Sequence, residues 1–130
     1  MNIKKSIVGS LFSMLLVSEM AAADWGDVYY CQMINLVKMD LDGTMTRYNS
    51  QKFQFKLDQT KNAMVFGSTG FFKDAVKELV KGANFPNTEF WYAKHKSDTN
   101  ETTFFENGKF LHTRNGSEGA YVISADCEKF

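Results

Sequence analysis

The sequence predicts a mainly β fold: an antiparallel meander of seven to eight short strands forming a small barrel or sandwich. One segment, at about 71–83, also fits a short helix. Three observations carry this expectation. Lys52 to Asp58 alternates strictly, with Phe53, Phe55 and Leu57 on one face and Lys52, Gln54, Lys56 and Asp58 on the other, the pattern of a strand with one wet side. Asp42-Gly43 and Asn107-Gly108 are two-residue hairpin signals between apolar runs. The chain is 130 residues, 44% hydrophobic and 15% aromatic, with one proline, so it has one domain's length and is too apolar and too aromatic to be disordered.

The first 23 residues have the organisation of a secretory signal peptide. Lys4 and Lys5 supply the positive start, Ile7 to Val17 the apolar centre, and Ala21-Ala22-Ala23 the small-residue cleavage pattern. Eleven residues are too few to cross about 30 Å of hydrocarbon as a helix. The expectation is a cleaved leader at 1–23 and a single β-domain at 24–130. The product is exported, periplasmic or secreted, with no stable membrane insertion afterwards. Lys4, Lys5 and Glu19 leave with the leader, so 15 basic and 15 acidic residues become 13 and 14, a net charge of −1. That balance argues against nucleic acid as a partner.

Both cysteines lie in the mature part. An oxidising compartment favours a disulfide between Cys31 and Cys127, which would close nearly the whole domain into one loop.

Taken in order, Val28 to Lys38 is apolar and β-prone. A two-residue turn at Asp42-Gly43 would set Leu41 opposite Thr44 and Val37 opposite Tyr48. Gln59 to Asn62 is a polar turn, Ala63 to Phe66 a short strand, and Gly67-Ser68-Thr69-Gly70 its stop. Between Phe71 and Ala83, Phe72, Ala75, Val76, Leu79, Val80 and Ala83 recur at helical spacing, although Ala75 to Val80 also fits an edge strand. Asn84 to Asn87 is a break, Thr88 to Lys96 an aromatic strand and Ser97 to Glu101 a polar loop. Thr102 to Glu106 and Lys109 to Arg114 flank Asn107-Gly108, which pairs Phe105 with Phe110 and Glu106 with Lys109. Asn115 to Gly119 is a turn before a last strand, Ala120 to Cys127. In outline this resembles a miniature lipocalin or avidin-type barrel. No Gly-x-Trp lipocalin signature accompanies it, so the resemblance concerns architecture alone.

One motif suggests chemistry. Asp40-Leu41-Asp42-Gly43-Thr44, after the apolar run Ile34 to Val37, resembles the first motif of haloacid-dehalogenase-like phosphatases. The resemblance implies Asp40 as nucleophile and Asp42 as general acid and base, with magnesium. It covers about six residues, and the family's parallel α/β sheet, later lysine and acidic pair do not follow. An Asp-Gly turn is the favoured reading. A calcium loop is not indicated, because the twelfth position is Gln51. His95 and His112 are the two histidines, too few for a zinc site. Ser124, His112 and Asp126 make a triad on paper without a nucleophile elbow. Asn100-Glu101-Thr102 and Asn115-Gly116-Ser117 match glycosylation sequons.

The rings remain. Phe90, Trp91, Tyr92, Phe105 and Phe110 are the expected ligand-binding residues, since the aromatic content exceeds what a small core needs. Neighbours on a strand face opposite sides, so Phe90 and Tyr92 part from Trp91, and Phe104 from Phe105. The expected function is non-catalytic binding of an apolar or aromatic small molecule, a glycan or a protein partner. No cofactor, metal or catalytic residue is expected. The alternative is a minimal phosphatase or hydrolase built on Asp40 and Asp42.

Overall fold

The computed structural model describes residues 23–84, 88–95 and 98–130. The expected leader therefore lies outside the described residues, apart from Ala23. Nine strands are present among those described, and no helix: β1 (Val28–Asp40), β2 (Met45–Arg47), β3 (Lys52–Asp58), β4 (Ala63–Phe66), β5 (Val76–Asn84), β6 (Thr88–His95), β7 (Asp98–Glu106), β8 (Lys109–Gly116) and β9 (Gly119–Lys129). All the ladders are antiparallel. Their order runs from β2 through β1, β3, β4, β5, β6, β7 and β8 to β9, and β9 pairs with β1 again. Eight strands thus form a circuit in a strongly curled, barrel-like sheet, and β2 extends one edge of β1. The expected mainly β meander holds.

Alternation sends one face of each strand inward. Phe53, Phe55 and Leu57 of β3 are buried, while Lys52, Gln54 and Lys56 are exposed. β1 obeys the same rule with one interruption. Met33 pairs with Ala125 and Asn35 with Ser124, so Ile34 is an extra residue in a bulge. Tyr29, Cys31 and Met33 face inward before it and Leu36 after it, because the bulge switches the parity. At one end of the barrel, Gly26 N–H donates to the Leu57 carbonyl (2.7 Å) and Leu57 N–H to that of Asp27 (3.0 Å). This seats Trp25 edge-on against Trp91, 4.9 Å between centroids.

Three local expectations are corrected. The helical pattern at 71–83 is not a helix. Val76–Asn84 is β5, paired with β4 and β6, and Phe71 to Ala75 is a run of turns. Tertiary pairing on both edges of β5 outweighs a helical periodicity of a few residues. The Asp42-Gly43 hairpin is one residue longer than expected. Val37 pairs with Arg47 and Met39 with Met45, and Asp40 N–H donates to the Thr44 carbonyl, leaving three residues, Leu41 to Gly43, in the loop. Asp42 Oδ1 accepts the Thr44 N–H at 2.9 Å and Gly43 takes a φ of +89°, which stabilises that longer turn. The loop expected from Ser97 is cut short, because β7 begins at Asp98 after a register shift at Lys94/His95.

Asn107-Gly108 is the tight turn expected. Phe105 pairs with Phe110 and Glu106 with Lys109, and both central residues have positive φ, +49° and +73°. The Gly108 carbonyl also accepts the Cys127 N–H at 2.8 Å, and a Cβ on Gly108 would lie 2.9 Å from the Cys127 carbonyl oxygen. Gly108→Val should therefore cost about 1–3 kcal/mol, from strain at a positive φ. A thermal melt read beside Lys109→Gln checks it. The Lys109–Asp126 ion pair is exposed, so its loss should cost no more than about 0.5 kcal/mol. Equal melting of Gly108→Val and wild type would remove the steric argument.

Candidate functional site

The rings expected to bind a ligand are divided by the pleat. Trp91, Phe105 and Phe110 point into the barrel and are at most 2% exposed. Phe105 packs on Tyr29 (4.7 Å) and Phe55 (5.1 Å), and Phe110 on Phe53 (4.8 Å) and Phe72 (5.4 Å). Burying each such ring contributes roughly 1.5–3 kcal/mol. These three rings belong to the buried core. Phe90 and Tyr92 lie on β6, and their side chains fall outside the described residues. On the outward face, Phe104 borders a shallow groove of about 550 Å³ with Ile34 and Leu111.

The remaining motifs separate in space. Asp40 to Thr44 is a hairpin turn between antiparallel strands. Gly43 N–H donates to the Asp40 carbonyl, and Asp40 N–H to that of Thr44. The Asp40 carboxylate lies 3.4 Å from Lys38 Nζ. Asp42 is held below the usual carboxylate range by its hydrogen bonds from Thr44. The phosphatase resemblance therefore does not extend to the fold. Ser124 and Asp126 meet Asn35 and Lys109 beside the outer groove, whereas His112 faces inward, so the paper triad is split across the sheet. Cys31 and Cys127 are directly opposite across the β1–β9 ladder and bonded, with Cα atoms 4.0 Å apart.

The sequence reading missed a polar group inside the barrel. Lys77 on β5, Thr103 on β7 and His112 on β8 are all at most 1% exposed. Lys77 stands opposite Met64 on the inward face, where the strand period places it, and its amine pairs with the Glu101 carboxylate. Thr103 and His112 are cross-strand partners, with Oγ1 and Nδ1 2.9 Å apart. His112 Nε2 is 3.7 Å from Glu101 Oε1, beyond hydrogen-bond reach, and has no partner among the described residues. Burial, with Lys77 and Arg114 nearby, pushes the imidazole pKa down from 6.5 to about 3, so the ring is neutral at neutral pH. Nothing in the sequence distinguishes Lys77 from a surface lysine. The signal available was its inward parity on a strand, and the helical reading of 71–83 hid that.

A turn segment roofs this group. Gly70 at φ +86° and Asp74 at φ +56° reverse the chain after β4. Lys73 N–H donates to Gly70, Asp74 N–H to Gly67 and Ala75 N–H to Phe72. The reversal stacks Phe72 on Phe66 at 4.8 Å and sets it edge-on to His112 at 4.9 Å. Phe71, next along, lies 6.3 Å from His112 on one side and 6.0 Å from Tyr121 on the other.

Above Phe71 the barrel mouth carries a cleft of about 390 Å³, lined by Leu36, Tyr48, Asn49, Gln51, Phe71 and Tyr121. Backbone bonds position its wall: Tyr48 N–H donates to the Leu36 carbonyl and Met33 N–H to that of Gln51. Tyr121 sits opposite Lys38, whose amine is 5.7 Å from the tyrosine ring, and the Tyr48 ring is 6.4 Å from that of Tyr121. The cleft thus combines three aromatic surfaces with two amide side chains, a composition suited to a small ligand with one apolar face.

The fold and these sites define a small, disulfide-bonded antiparallel β-domain with a buried aromatic cluster and an aromatic mouth. No family model, curated protein or solved structure matches the chain.

Proposed function

We propose that the protein is an exported, non-catalytic binding domain. It takes a small molecule with an apolar or aromatic face, sugars with an apolar ring face included, in the cleft at the barrel mouth. The observation that carries this reading is the convergence of Phe71, Tyr48 and Tyr121 with Asn49 and Gln51 on one concavity, beside the buried aromatic cluster. Rings supply contact area at little conformational cost, and amides orient a hydroxyl-bearing edge. Export is supported by the leader-like start and by the Cys31–Cys127 bond, which belongs to oxidising compartments. Among the described residues no helix is long and apolar enough to cross a membrane.

The test is an NMR titration of the mature protein with phenyl β-D-glucoside, which carries both an aromatic ring and hydroxyls. Amide shifts should concentrate at Tyr48 to Gln51, Phe71 and Tyr121. Tyr121→Ala should weaken binding about tenfold, equivalent to about 1.4 kcal/mol. Leu111→Ala, on the outer groove, should leave it unchanged. Shifts centred on Ile34 and Leu111, or no saturable shifts, would reject the mouth as the site.

A further inference from the structure

We propose that the Phe71–Phe72 segment is an acid-responsive gate, with His112 beneath it as the sensor. As a control on ligand access the idea rests on the mouth reading above; as a motion of the segment it does not. The geometry couples the two sites through one side chain. Phe71 forms part of the cleft wall, lies 6.3 Å from the His112 ring and packs on Phe72, which sits edge-on to that ring at 4.9 Å.

The imidazole meets charge from several elements. Lys77 reaches it from β5, Glu101 from β7, and Arg114 lies on its own strand. β7 also offers the neutral Thr103, and β9 offers Ile123 opposite the ring, with Tyr121 beyond Phe71. On the gate, Phe72 touches the ring, while Lys73 and Asp74 are exposed to solvent. Among the described residues, the carboxylate beside the ring is that of Glu101, and it is paired with Lys77. A second ring proton would add a positive charge near Lys77 and Arg114, and Nε2 has no hydrogen-bond partner among the described residues. Exposure to water relieves the cost of charging the buried ring. Strands β7, β8 and β9 are tied by continuous ladders, whereas the roof is a run of turns with a few backbone bonds, so the roof yields first.

The sign and size follow from linkage. Closed, the ring protonates near pH 3; opened, it returns to its ordinary 6.5. Above pH 6.5 the closed form keeps its full advantage. Below it, the ratio of open to closed rises by up to about tenfold per pH unit, or some 20- to 30-fold between pH 7 and pH 5. Loss of Phe71 from the wall would release the cleft's ligand in acid.

Hydrogen exchange on the ligand-free protein tests the gate apart from any binding result. The amides of Lys73, Asp74 and Ala75 are the reporters, corrected for the intrinsic pH dependence of exchange. They should be less protected than the β1–β9 amides, and their protection should fall about 20- to 30-fold from pH 7 to pH 5. In His112→Gln the fall should vanish. Should that variant not fold, NMR of the wild-type imidazole serves instead: His112 should show no titration between pH 8 and pH 5. Protection that ignores pH, an equal fall in His112→Gln, one common exchange rate for gate and seam, or a His112 midpoint near 6.5 would each overturn the proposal.

Discussion

Reducing the Cys31–Cys127 bond should lower the unfolding free energy by about 3–5 kcal/mol. The two residues are 96 apart in sequence and directly paired on β1 and β9, the ladder that completes the circuit. Free, the unfolded chain gains the entropy of opening a loop of that length, for which the chain-entropy estimate is about 4.7 kcal/mol at 100 residues. Typical stability for a domain of this size is about 5–15 kcal/mol, so the loss is a large part of the whole. Two measurements check it. The mass of the native mature chain should be about two hydrogens below that of the reduced form. Denaturant melts with and without reductant, and of Cys31→Ala/Cys127→Ala, should show the same large fall. Free thiols in the oxidised protein, or a loss under about 1 kcal/mol, would contradict the seam's importance.

Among the described glycines, Gly119→Ala should be the most damaging change to alanine, at about 2–5 kcal/mol. Gly119 opens β9 and pairs with Asp40 at the far end of the same ladder. Its φ is +137°, and a Cβ there would lie 2.1 Å from the Met39 carbonyl oxygen and 3.0 Å from Asp40 Cα. Both obstacles are backbone, so no side chain can swing aside and the strands must separate. Strain at positive φ accounts for about 1–3 kcal/mol, and overpacking for a similar amount. Gly43→Ala separates the two causes. Gly43 has φ +89° with nothing within 4 Å of its missing Cβ, so it should lose only the strain part. If the two variants melted alike, the close approach of β1 to β9 would be wrong.

Much of this fold was legible because its signals are local. The alternation of Phe53, Phe55 and Leu57, the turn at Asn107-Gly108 and the opposite facing of Phe104 and Phe105 all depend on neighbours a few residues away. The failures share a different cause. The segment after Gly70 carries apolar residues at helical spacing, but Phe72 belongs to a turn and Lys77 to an inward strand position. Burying a lysine there requires Glu101, which arrives from another strand and cannot be foreseen from the local pattern. A turn within Asn115 to Gly119 was readable, although only Ser117 and Glu118 lie outside the β8–β9 ladder. That Gly119 must lack a side chain depends on β1 landing against it. The cleft was least legible of all, since Tyr48, Phe71 and Tyr121 come from three separate stretches of chain. Their convergence follows from the bulge at Ile34, which turns Leu36 inward, and from the reversal at Gly70.

The circuit of strands has one more property. In a row of hairpins, a slip in one pairing leaves the others unharmed. In a circuit the slips add, because the last strand must meet the first. A net error of one residue displaces β9 along β1 by about 3.3 Å and turns its side chains to the opposite face. Cys127 would then point away from Cys31, and thiols whose Cβ vectors diverge cannot join. The bond therefore forms only when the register errors of all eight ladders in the circuit sum to zero. Its oxidation is a parity check on the whole sheet, performed at a single pair of sulfur atoms.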